Sequence, residues 1–458
     1  MKTITSTSKS IAEWDKAWIH PLSNWAEQER YGPWVLRSAK GMWITEASGA
    51  EKFDAFSGLW CVNVGYGHES IAQVAAEQMR KLSYVSGYDG MGCEATIELA
   101  GKLAERAPGD CNHVYFTPGG GSDAIDTVIR FVRYHNNVIG KPEKKHFIAL
   151  DRGYHGASTA SAGLTGLSIF HQHFDAPAPL QHHIPTPSPY RRPPGHDDAA
   201  VIATTINALR AKVAEIGVDK VAAFICEPIQ AAGGLNVPPP GFLKAIRATC
   251  DELGIFWICD EVVTGFGRTG PLFAAQDEDV SPDLMTIAKG LTSGYVPMGA
   301  VLVSDAFYRR IADALPIGTP IGHGHTYAGH PVSAAVALEV LRLYEEGGIL
   351  ANAQRVGPYF QNRLKELYEF PFVGDVRGRG MLAGIELVAD KETKKSLDSS
   401  LQVARRIVLS AHKNRINFRV CPTDIIALAP ALCATEADID ILMDRLRSVL
   451  LDVGSQIM

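Results

Sequence analysis

Nowhere does this sequence run for the roughly 18 apolar residues that a membrane-spanning helix requires, so no transmembrane segment is expected. The N-terminal stretch Met1–Ser10 carries no apolar core ahead of a cleavage site, so no export signal is expected either. C-x-x-C pairs are missing: the eight cysteines are scattered, several inside apolar runs, as small core residues are in a reducing compartment. A cytoplasmic protein is the expectation. Charge of one sign is also scarce. A net charge of -6, from 44 basic and 50 acidic residues, leaves no basic footprint for nucleic acid or for an anionic membrane. A P-loop, a G-x-G-x-x-G fingerprint, a G-x-S-x-G elbow and an H-E-x-x-H helix are all absent, as are repeats and low-complexity tracts. What is present is a chain of 458 residues, 46% of them hydrophobic and 21% charged, ordinary proportions for a soluble protein that buries large cores, and work on small molecules is the expectation.

The informative stretch is Pro282–Leu291. Leu284 to Ala288 reads as a buried strand of a parallel sheet, and it ends on Lys289 followed by Gly290. A second apolar strand, Ile255–Cys259, ends in Asp260-Glu261, so a carboxylate and an amine are expected to meet in the crevice outside neighbouring strand ends. In a closed, apolar crevice a lysine amine is available as a nucleophile toward an aldehyde, which points to pyridoxal phosphate.

Further strand ends supply more chemistry. The strand His113–Phe116, the loop Thr117–Ser122 and a helix from Asp123 to Asn136 form an anion cradle, because backbone N–H groups and the positive helix end converge there. A strand at Phe147–Leu150 leads to Tyr154 and His155, with Tyr154 suited to stack on a planar ring. The strand Val221–Cys226 leads to Glu227 and the small residues Ala231 and Ala232; helices are expected over 199–216 and 241–253, and a strand over Met298–Val303. The proline-rich stretch 176–194 reads as an extended surface excursion. His323 and His325 have no third ligand at convincing spacing and read as a polar loop rather than a metal site, with Thr326 as a hydroxyl donor. Aromatics crowd residues 11–60; packing or an interface is expected for most of the tryptophans, and a place near the site for Trp60. Gly41–Gly49 reads as a hairpin-like pair.

The expected fold is α/β: a large, doubly wound, mostly parallel sheet domain over 70–329 and a smaller α+β domain built from both chain ends. An N-terminal arm over 1–69 and the C-terminal part over 330–458 supply the latter. A long helix over 331–346, strands near 373–377, 381–387, 416–420 and 425–429, a helix near 401–413 and a capping box at Thr435–Asp438 make up its C-terminal part.

In this order, Gly120-Gly-Ser122, Tyr154-His-Gly156, Glu227-Pro-Ile, Asp260-Glu-Val262, Lys289-Gly and His325-Thr326 resemble the class III aminotransferases, pyridoxal-phosphate enzymes of fold type I. Gly58–Gly67 and Arg419 are similar to the amine or ω-amino acid:pyruvate transaminases of that class. The resemblance implies a ping-pong transfer from an amine donor to a keto acid acceptor such as pyruvate, with Lys289 holding the cofactor as a Schiff base and moving the proton. Asp260 would pair with the pyridine nitrogen, Tyr154 and Val262 would cover the ring, and Gly121 and Ser122 would hold the phosphate. His155 and Glu227 would complete the cofactor site. Thr326 would reach the phosphate from a second subunit, which implies a homodimer, with a tetramer open. Arg419 would be a mobile carboxylate clamp. Leu22, Trp60, Tyr88, Tyr154 and Ala232 would line the substrate pocket, where Leu22, in place of an aromatic common in relatives, and the small Ala231 and Ala232 hint at extra room. An aminomutase or a decarboxylase of the same fold would use the same Lys289 and Asp260, and pyruvate dependence separates the aminomutase from a transaminase.

Overall fold

The computed structural model describes residues 10–457, so the segment 1–9, where no export signal is expected, lies outside the described residues. Among the described residues, fifteen strands form three sheets. They are β1 (Leu36–Lys40), β2 (Trp43–Glu46), β3 (Glu51–Asp54), β4 (His113–Thr117), β5 (His146–Leu150), β6 (Gln181–Ile184), β7 (Val221–Cys226) and β8 (Phe256–Asp260). The remainder are β9 (Leu284–Ile287), β10 (Gly299–Val303), β11 (Val373–Arg379), β12 (Leu382–Leu387), β13 (Ile416–Asn417), β14 (Arg419–Cys421) and β15 (Ile425–Leu428).

The large sheet has the order β4-β10-β9-β8-β7-β5-β6. Every residue of β7 and β9 is buried, as expected for apolar strands covered on both faces by helices. Each fully buried Leu, Ile or Phe side chain in such a sheet contributes about 1.5–3 kcal/mol relative to exposure. The helix Gly121–Val138 turns Ile125, Val128, Ile129 and Val132 onto the sheet, the stripe its sequence spacing dictates. Strands β6, β5, β7, β8 and β9 run parallel, whereas β10 runs antiparallel to both β4 and β9. Strand β4 therefore points the same way as β9, and the loops after β4, β5, β7, β8 and β9 all leave the same end of the sheet.

Smaller sheets take up the chain ends, in the orders β1-β2-β3-β13 and β11-β12-β15-β14. Strand β13 pairs in parallel with β3, Ile416 against Phe53 and Asn417 against Asp54, so residues more than three hundred positions apart share one ladder. The capping box forms as its spacing predicts: Asp438 N–H donates to the Thr435 hydroxyl and Thr435 N–H to the Asp438 carboxylate. No helix among the described residues is long and apolar enough to cross a membrane.

The structure corrects several readings. The stretch 176–194 is not only a surface excursion: Gln181–Ile184 is an edge strand pairing with β5, and its Gln181 and Ile184 are buried. Prolines flank this segment without entering it, which an edge strand tolerates. The hairpin-like pair is a three-strand meander, β1 to β3, with turns at Gly41 and after Glu46. Among the helices that the sequence reading does not contain are Asp305–Ala312 and Ile349–Lys365; Pro358 inside the second masks an apolar stripe of Ala353, Val356, Phe360 and Leu364. Trp14, Trp18, Trp25 and Trp34 do not pack in the protomer core: each is 60% exposed or more.

Candidate active site

The strand-end loops enclose a cavity of about 410 Å³. Lys289 reaches it from the end of β9, at a φ of 38° that few side-chain-bearing residues adopt. Its Nζ makes no hydrogen bond or ion pair among the described residues. Asp260, at the adjacent end of β8, is buried and fixed from three sides. Its Oδ2 meets His155 Nδ1 at 2.7 Å, and its Oδ1 accepts from Val262 N–H at 3.1 Å and from the Thr286 hydroxyl at 3.2 Å. His155 is buried as well, and its Nε2 has no partner among the described residues.

Glu227, after β7, accepts Tyr154 N–H on one oxygen and Ala231 N–H on the other, both at 2.9 Å. It thereby joins the turn after β5 to the loop after β7. Burial pushes its carboxyl up to about 7, against the pull of His155 and of the backbone bonds. Tyr154 lines the cavity; burial raises its phenol, and the nearby Arg419 guanidinium acts in the opposite sense. Arg419, on β14, thus lies within electrostatic reach of the ring. Two other arginines nearby are structural: Arg377 donates to the carbonyls of Gly234 and Leu235 and pairs with Asp375 and Glu386, and Arg379 pairs with Asp277.

At the far wall the helix Gly121–Val138 points its N-terminus into the cavity. Gly120 caps it with no side-chain bond, so its first-turn N–H groups are those that a helix cannot pair internally. Gly121 is tightly placed: a Cβ there would sit 3.0 Å from a Val262 methyl, which would have to give by a few tenths of an ångström. Gly156 is the second such position, where a Cβ would meet the hydroxyls of Ser161 and Ser122 at 2.4 and 2.7 Å. Ser122 Oγ therefore stays beside the helix N-terminus and accepts Ala157 N–H at 3.2 Å.

The cavity thus unites Gly121, Ser122, Tyr154, His155, Glu227, Asp260, Val262 and Lys289. Other candidates stand apart. Trp60 is buried behind the cavity wall with Phe56, Ile229, Ala231 and Val263, and Ala232 packs on that cluster. Leu22 and Tyr88 are exposed, as is Thr326, whose carbonyl accepts from Tyr84. His323 is engaged with Thr127 and packed on Tyr115 and Phe131. Cys61, Val263 and Met298 line the cavity without having been singled out. Cys61 could have been found as the neighbour of Trp60 in the Gly58–Gly67 motif; burial raises its thiol, and the Lys289 charge opposes that.

The donor set suits pyridoxal phosphate: helix N–H groups and a hydroxyl for a phosphate, a buried carboxylate for a ring nitrogen, an unpaired amine for an aldehyde, and an aromatic face for a planar ring. The family model for aminotransferase class-III matches residues 25–450. The chain belongs to the class III aminotransferases. Over 377 residues, 82% of each chain, it is 42% identical to a putrescine–pyruvate aminotransferase of Pseudomonas aeruginosa. A diaminobutyrate–2-oxoglutarate transaminase of Halomonas elongata is 40% identical over 90% of this chain and 88% of its own. Among solved structures, the ω-transaminase of Pseudomonas jessenii in complex with PMP superposes with a TM-score of 0.95, at 34% identity and 98% and 99% coverage of the two chains. An (S)-enantioselective ω-transaminase from Thermomicrobium roseum gives 0.93 at 38% identity, covering 97% and 98%. This aminotransferase accordingly has PLP fold type I architecture, and pyridoxal 5′-phosphate is its cofactor.

Proposed function

We propose that this aminotransferase takes its amino group from a small amine or ω-amino acid and delivers it to a keto acid such as pyruvate, in a ping-pong cycle. The observation that carries the proposal is the pairing of an unpartnered Lys289 amine with a fixed Asp260 carboxylate in one cavity that Arg419 can address with a charge. Bound there, pyridoxal phosphate supplies an electron sink for the amino-bearing carbon and stores the amino group between half-reactions. Lys289 takes the proton from that carbon and returns it, as base and then acid. Asp260, its orientation fixed by His155, Thr286 and Val262, holds the ring nitrogen in its protonated form. Gly121, Ser122 and the helix N-terminus bind the phosphate, while Tyr154 and Val262 confine the ring. Arg419 binds the carboxylate of the keto acid in a bidentate fork and swings away for an apolar amine substituent.

The same reading includes a homodimer, with tetramers open, in which Leu22, Tyr88 and Thr326 serve the partner's site. Exposed Trp18, Trp25, Trp34, Tyr88 and Tyr327 support it, because apolar surface of this extent is characteristic of an interface. It also includes the division at 69/70 and 329/330, supported by the ladder joining β3 to β13, and a cytoplasmic setting, supported by free, mostly buried thiols. The test is an absorbance titration of the cofactor-loaded protein. A band near ~410 nm should fall on adding 1-phenylethylamine as one near ~330 nm rises, and pyruvate should restore it. A response to amino acids alone moves the substrate class; turnover of an amino acid without any keto acid would favour the aminomutase.

A further inference from the structure

The wall of the cavity that carries Cys61 is a strained turn. Ser57, Gly58 and Trp60 have φ of 48°, 68° and 56°, so three of four consecutive residues lie in the left-handed region. Leu59 between them is non-helical, at φ -142° and ψ 61°. Such backbone is costly for residues with a Cβ and persists only where the surroundings over-determine it.

Two buried charges do so here. Asp54 is 1% exposed and spends both oxygens on this region. Oδ1 accepts Phe56 N–H at 3.1 Å and Asn417 Nδ2 at 2.9 Å; Oδ2 accepts Gly58 N–H at 2.6 Å and the Tyr66 hydroxyl at 2.9 Å. Arg268 is fully buried, and no carboxylate among the described residues pairs with it. Its Nη2 donates to Asn63 Oδ1 at 2.6 Å and to Ser57 Oγ at 3.3 Å, and its Nη1 donates to the carbonyls of Pro430 and Met381. Burial pushes this guanidinium down to about 10, with Asp54 among the charges that oppose the shift. The turn is thus gripped by an anion at Phe56 and Gly58 and by a cation at Ser57 and Asn63.

We propose that Asp54 and Arg268 are positioning residues that clamp the turn 56–63 against the Lys289 cavity and, through Asn417, hold it in register with the strand bearing Arg419. The clamp rests on the functional reading above and names what fixes its substrate side. It controls how tightly amine and keto acid bind, and it leaves the proton transfer at Lys289 to other residues. Arg419 lies two residues beyond Asn417, so the apolar wall and the carboxylate fork shift together when the clamp loosens.

The test uses the cofactor-loaded enzyme and three substitutions, Asp54→Asn, Arg268→Lys and their combination. Each single change should raise KM for 1-phenylethylamine and for pyruvate roughly tenfold, as expected for losing a charged hydrogen-bond partner, with kcat changed less than about threefold. The ~410 nm band should persist, and the double variant should fall well short of the product of the single effects, since both act on one turn. Independent, multiplying effects, or losses confined to kcat, would overturn the clamp. If a charge variant fails to fold, Asn417→Ala carries the test. It should raise KM for pyruvate and for 1-phenylethylamine together, each at least about threefold, and an unchanged pyruvate KM would overturn the link to Arg419. A wild-type enzyme that ignores both amine and pyruvate refutes the functional reading instead, before any variant is compared.

Discussion

Glu261 offers a sharp test of how burial shapes this site. It follows Asp260 and is fully buried; its carboxyl accepts Ala275 N–H at 2.8 Å on one oxygen and the Thr264 hydroxyl on the other. These bonds close the segment that carries Val262, Val263 and Arg268. Burial pushes the carboxyl from an ordinary 4.5 up to about 7, and the hydrogen bonds only partly offset this. Because the folded state binds this proton more tightly than the unfolded one, its stabilisation is complete below about 4.5. It is lost as pH rises, and the loss is complete above about 7. The interval of about 2.5 pH units at ~1.4 kcal/mol each amounts to about 3 kcal/mol. Glu261→Gln keeps an acceptor for Ala275 and can offer its amide to the Thr264 hydroxyl, but it does not titrate. The variant should therefore gain on the wild type as pH rises from about 5 to about 8.5, a relative increase of several degrees in melting temperature, read by thermal unfolding of the cofactor-loaded protein across that range. A difference between the two proteins that does not change with pH would refute the reasoning.

Three further outcomes follow from the site. Lys289→Ala should lower single-turnover transfer by at least ~10²-fold and abolish the amine-dependent absorbance change, with phosphate binding through Ser122 intact; amine-dependent bleaching at the wild-type rate would move the base elsewhere. Asp260→Asn removes the anion proposed for the ring nitrogen, an effect on the order of 1–3 pKa units, so the stopped-flow half-reaction should slow by roughly 10- to 10³-fold. A rate within threefold of the wild type would count against Asp260. Arg419→Ala should raise KM for pyruvate by about 10- to 100-fold, the usual cost of a lost charge-assisted bond, and leave a carboxylate-free amine nearly unaffected. Equal losses for both substrates would show that Arg419 supports the fold rather than the acid.

Much of this was legible in the chain itself. Apolar runs of strand length ending in Lys289, Asp260, Glu227 or Tyr154-His155, with helices between them, specify parallel strands whose chemistry gathers at one end. Local patterning suffices there, because side-chain period and strand-end loops are properties of neighbouring residues. The antiparallel β10 was not legible, since Gly299–Val303 is equally apolar in either direction and only the register with β4 and β9 fixes its sense. Nor was the edge strand Gln181–Ile184, which takes its stability from hydrogen bonds to β5.

Residue types and order were enough to suggest Lys289, Asp260 and Ser122 as a cofactor set, because each has a chemical job that few other side chains perform. Asp54 and Arg268 carry no such signature. An aspartate at the end of a short strand and an arginine in a glycine-bearing loop read as surface residues until folding buries both around one strained turn. The sequence by itself therefore determined the α/β architecture and the chemistry-bearing strand ends. Tertiary structure alone decided which distant residues, Asn417 against Asp54 and Asn63 against Arg268, meet around the turn 56–63, because those contacts join segments that share no local pattern.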